Sequence, residues 1–120
     1  MLAEIANTRQ IPGEDRRRWF RDDDLDLIVW YDASDEISGF QLCYDTITRE
    51  RALTWTRGGS YQHNAVDQGG SAGHMKMTPV LVADGTFDKK RIVDLFVSRS
   101  RRIELPLATF VKQKLEDYQS

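Results

Sequence analysis

The chain's two histidines, His63 and His74, fall in one Gly-rich stretch with Asp67, and Asp84 closes the segment that follows. Imidazole and carboxylate together can bind Zn²⁺, Mn²⁺ or Fe²⁺, and a histidine beside a carboxylate can serve as general acid or base. Their spacing does not gather them. His63 and Asp67 are four apart in a stretch without helical periodicity, and neither HExxH nor CxxC occurs. His63, Asp67, His74 and Asp84 are thus the candidate site of a small metal-dependent enzyme, with a solvated loop as the plain alternative.

Charged runs offer a second chemistry. Arg16, Arg17, Arg18 and Arg21 interleave with Trp19 and Phe20, and guanidinium groups among aromatics can hold phosphates or stacked bases. The acids Glu14, Asp15 and Asp22 to Asp24 would neutralise that field, and arginines along an edge strand also oppose edge-to-edge aggregation. Arg99, Arg101 and Arg102 form a second candidate anion site, but cations at a helix end also favour the helix dipole. Asp22, Asp23, Asp24 and Asp26 could hold a hard cation, although clustered aspartates more commonly make a turn. Cys43 stands on an expected strand with no histidine close in sequence, which suits a small core residue better than a nucleophile. Trp30, Tyr31, Phe40, Tyr44 and Trp55 should lie on neighbouring strands, where they either form the core or line an apolar pocket.

These residues must be positioned by a small number of elements. Segment 16–21 reads as a short strand ending at the aspartate turn, and 26–32 is apolar on both faces, as in a strand covered on two sides. Phe40, Leu42 and Tyr44 alternate with polar neighbours, and Leu53 and Trp55 repeat that period of two. Short links between them predict an antiparallel meander. Glycines at 58, 59, 69, 70 and 73 mark 58–78 as a long loop before a further strand over 79–83. Thr86 is placed to cap a helix reaching about Ser98, with Ile92, Leu95 and Phe96 on one face. Pro106 suits the first turn of a second helix, whose stripe is Leu107, Phe110, Val111, Leu115 and Tyr118. Strands first and helices last predict an α+β fold: a meander of four to five strands, then two C-terminal helices on one sheet face.

The 120 residues suit a single domain over 1–120, with 1–15 expected to be loosely ordered. Seventeen Lys plus Arg against nineteen Asp plus Glu leave a charge of −2, which argues against a general nucleic-acid coat. One cysteine precludes an internal disulfide, and the longest apolar run, over 27–31, has five residues, far short of a membrane helix. The start lacks a signal-peptide core, so a cytoplasmic protein is expected. No cofactor motif occurs, and no cofactor is expected.

The strings RRRWF, DLDLIVWYD, GFQLCYD, ERALTW and TPVLVADG, with the ending LPLATFVKQKLEDY, together resemble small uncharacterised bacterial proteins without assigned activity. That resemblance, over 16–118, implies a bacterial, single-domain protein and carries no functional residue with it. With no triad, phosphate loop or metal signature, the leading expectation is a non-enzymatic binding or interaction protein, a homodimer or a partner of another protein. The metal-dependent enzyme, and a nucleotide or nucleic-acid binder using the arginine clusters, stand as alternatives.

Overall fold

Strands whose alternate residues are apolar must bury one face, and here a continuous apolar row crosses the sheet. The structure is a computed structural model that describes residues 1–47, 49–67, 80–83 and 87–119. Its strands are β1 (Ala3–Glu4), β2 (Arg16–Arg21), β3 (Leu25–Tyr31), β4 (Ile37–Tyr44), β5 (Arg51–Thr56), β6 (Ser60–Asp67) and β7 (Val80–Ala83). Two helices follow, α1 (Lys89–Arg99) and α2 (Leu105–Asp117). The strands lie in one sheet in sequence order, every pair antiparallel. The expected α+β meander with two C-terminal helices is the fold, built on six strands of four residues or more plus the two-residue β1 rather than on four to five.

Register explains the core. Phe20 faces Leu27, Leu27 faces Leu42, and Leu42 faces Leu53, so these four share one side of the sheet. Val29, Phe40 and Trp55 form a second such row. On the helices, Ile92, Val93 and Phe96 of α1 and Leu107, Val111 and Leu115 of α2 are buried in the same cluster. The opposite side carries Trp19, Ile28, Gln41, Thr54 and Gln62 in one row across β2 to β6. Strand β3 is apolar on both sides as expected, but only one of its faces meets helices.

Turn chemistry sets the strand ends. Asp22 Oδ1 accepts the backbone N–H groups of Asp24 at 2.8 Å and Leu25 at 2.9 Å, closing the β2–β3 turn. Asp32 does the same after β3, accepting from Ser34 at 2.8 Å and Glu36 at 3.0 Å. Between β5 and β6, Gly58 and Gly59 have φ of 105° and 90°, values an L side chain rarely adopts. The glycines that suggested the start of a long loop over 58–78 therefore make a tight hairpin, and 60–67 is a strand. Within 1–15, Leu2 is fully buried, and its N–H donates to the Arg99 carbonyl at 2.9 Å. The N-cap position of α1 is Asp88, and Thr86 lies outside the described residues.

Candidate functional site

An open cleft of about 810 Å³ lies where the ends of β3, β4 and β5 meet the first turns of α2. A β-bulge shapes it. Trp30 pairs with Gly39 but Tyr31 pairs with Ile37, so Ser38 is left over and the strand bends at this point. Tyr31, on the same face as Leu27 and Val29, and its partner Ile37 line the cleft beside Trp55 from β5. Pro106, Leu107 and Phe110 close it from α2. Pro106 sits in the first turn, where its fixed φ and missing N–H cost the helix nothing.

The floor is aromatic. Trp55 meets Phe110 edge to face at 5.3 Å between ring centres, and on its other side packs against Phe40 at 5.9 Å. The Lys114 ammonium, one turn beyond Phe110, lies 5.1 Å from the Trp55 ring and 5.4 Å from the Phe110 ring. The Arg16 guanidinium covers the Tyr31 ring at 4.6 Å.

The rim is charged, with three acids, Asp35, Glu36 and Glu104, against one base, Arg57. Arg57 pairs with Asp32 at 2.7 Å and donates to the Ile37 carbonyl at 3.0 Å, so its fork holds the β3–β4 turn in place. Arg16 pairs with Asp35 at 2.7 Å. Arg18 forms a double pair, with Glu4 at 2.7 Å and Glu104 at 2.6 Å. Its hydrogen bonds hold the Glu4 and Glu104 carboxyls below their ordinary range, and the two carboxylates raise Arg18 in turn. The Glu36 carboxylate is exposed and has no ion-pair or hydrogen-bond partner among the described residues.

The structure separates most of the residues singled out by sequence. His63 is not on a loop. It points inward from β6, is buried, and has its Nε2 2.5 Å from the Tyr44 hydroxyl. Phe87 and Tyr118 flank its ring at 5.4 and 6.3 Å. Asp67 ends β6, while His74 and Asp84 lie outside the described residues. No group of three His, Cys, Asp or Glu able to hold a metal occurs among the described residues.

Arg16, Arg18 and Arg99 are engaged by carboxylates. Arg99 bridges Asp22 at 2.9 Å and Asp24 at 2.7 Å. Arg17 donates to the Arg9 carbonyl at 2.8 Å, and Arg101 and Arg102 are exposed in the turn between the helices. Of the aspartates read as a possible cation site, Asp22 and Asp24 hold Arg99, and Asp26 accepts from the Trp19 indole and Arg21. Cys43 is buried on the helix-free side, and burial pushes its thiol up to about 11.

Of the five aromatics considered for a pocket, Phe40, Tyr44 and Trp55 are core, Tyr31 and the buried Trp55 also line the cleft, and Trp30 lies on the other side of the sheet. Ile37, Glu36, Arg57 and Pro106 were missed as site residues. The bulge, which no residue pattern announces, and the packing of α2 bring them together. Comparison of the chain with protein-family models, curated proteins and solved structures gave no match.

Proposed function

We propose that this protein is a non-enzymatic binding module and that the cleft between Tyr31, Trp55 and Phe110 is its binding surface. The observation that carries this reading is a concave cleft with a carboxylate rim beside a β-bulge, floored by half-buried Tyr31 and Phe110 over buried Trp55. Aromatic side chains in a small domain normally go to the core, as Phe20, Phe40, Phe96 and Trp55 do here, whereas Tyr31 and Phe110 are only half-buried. Leu105, 76% exposed at the start of α2, adds apolar surface beside the cleft. Nothing among the lining residues resembles a nucleophile with its base, so binding accounts for them better than turnover. The occupant is a protein partner, since an open cleft leaves much of a small molecule in water.

Saturation-transfer NMR with 2-phenylethanol, a neutral aromatic probe, tests the reading. Wild type should transfer saturation to the probe's ring, and Ile37→Trp or Pro106→Trp, which fill the cleft, should abolish it with melting temperature little changed. Equal transfer in wild type and in both filled variants places the probe elsewhere and overturns the reading.

A further inference from the structure

We infer that the cleft takes a cationic side chain, an arginine or lysine presented by a basic segment of a partner protein. This rests on the binding reading above and adds the chemistry of what is bound. The cleft's charges are three carboxylates against one guanidinium, and that guanidinium is occupied by Asp32 and the Ile37 carbonyl. An anionic ligand would find no uncommitted cation among the lining residues. A cation finds Glu36, whose carboxylate has no partner among the described residues, while Asp35 and Glu104 already hold Arg16 and Arg18.

The floor suits the same ligand. Long basic side chains lay their methylene stems on apolar surface and keep the charged head at the rim. Arg16 already covers the Tyr31 ring and Lys114 lies over the Trp55 and Phe110 rings, so the incoming head group is held by Glu36 at the rim and only its stem lies on the floor. Lys114 lies one turn beyond Phe110, whereas the cleft is lined one turn before it by Pro106 and Leu107, so the cleft itself holds no lysine among its described lining residues.

The test is a titration of ¹⁵N-labelled protein with acetyl-Phe-Arg-amide, acetyl-Phe-Gln-amide and acetyl-Phe-Glu-amide, read at the Trp55 indole N–H. The arginyl peptide should bind roughly three- to tenfold tighter than the glutaminyl one, and the glutamyl peptide weakest. Glu36→Gln should shrink that ratio towards one without changing the melting temperature, and raising salt from about 20 to 200 mM should shrink it too. Glutamyl binding equal to or tighter than arginyl binding overturns the charge inference and leaves the cleft a binding site. No response to any of the three overturns both. Phenethylammonium binding as tightly as the arginyl peptide makes the occupant a free amine and overturns the protein partner. A Trp55 indole that shifts with protein concentration alone makes it a second copy, with the same consequence.

Discussion

At the scale of single residues, carboxylates do most of the structural positioning. Asp22 is 4% exposed, closes the β2–β3 turn, and pairs with Arg99 from α1. Burial pushes its carboxyl up, but the turn N–H groups and Arg99 outweigh this and leave it below the ordinary range. Asp22→Asn keeps an acceptor for the turn and loses the ion pair. Asp22→Ala loses both, and should cost roughly 1.5–3 kcal/mol in urea denaturation, more than the asparagine variant. Equal stability of wild type and Asp22→Ala would contradict this role.

Asp32, Glu4 and Glu104 are lowered as well, Asp32 by the Glu36 N–H and Arg57, the two glutamates by Arg18. A carboxyl lowered by folding stabilises the protein at every pH above its unfolded value, about 4 to 4.5, and the contribution is lost as pH falls through the folded value. The melting temperature should therefore fall as pH drops below about 4.5. A melting temperature that rises over that range would reverse the sign. Cys43 follows from its burial and raised thiol: native protein should react slowly with a thiol reagent at pH 8 and quickly once unfolded.

At the scale of elements, the difference between what was legible and what was not is physical. Strands β4 and β5 announce themselves because Phe40, Leu42, Leu53 and Trp55 recur at a period of two, and β3 because 27–31 is apolar on both faces. Helix α2 does so because Leu107, Val111 and Leu115 fall four apart. Strand β6 does not. Its inward positions include Tyr61 and His63, and a histidine counts as polar until the Tyr44 hydroxyl is found reaching it from β4, two strands away. Gly58 and Gly59 read equally well as loop or hairpin, and pairing with β5 decides for the hairpin.

The strand assignment predicts that ladder-bonded amides over 60–65 exchange with solvent as slowly as those of β5. Exchange as fast as in the Asp32–Glu36 turn would restore the loop. A methyl group added at either hairpin glycine would meet nothing within 4 Å, so sterics with neighbours play no part there. Gly58→Ala and Gly59→Ala should therefore cost about 1–2 kcal/mol each through backbone strain alone. Loss of stability below about 0.5 kcal/mol at both would mean the hairpin tolerates ordinary backbone angles.

At the scale of the molecule, the sheet has two faces of different character. One is sealed by α1 and α2 except at the cleft, where β3 bends away and α2 begins. The other carries Trp19 and Trp30, with the Trp19 indole committed to Asp26 at 2.8 Å and its ring covered by Arg21 at 5.0 Å. Trp19 is thus committed on that side, while Trp30 lines a smaller cleft of about 440 Å³ with Glu14, Asp15 and Thr54. Sequence showed Tyr31 and Trp55 as aromatics that could line a pocket. It could not show which of five aromatics would do so, because a one-residue bulge at Ser38 and the seating of α2 make that choice. No helix among the described residues is long and apolar enough to cross a membrane.

The three tryptophans, Trp19, Trp30 and Trp55, divide between the two faces and make the most direct test possible. In a titration with acetyl-Phe-Arg-amide, only the Trp55 indole signal should move, saturating with the peptide and with Trp19 and Trp30 fixed. Movement of Trp19 and Trp30 with Trp55 unchanged would put binding on the helix-free face and contradict the account.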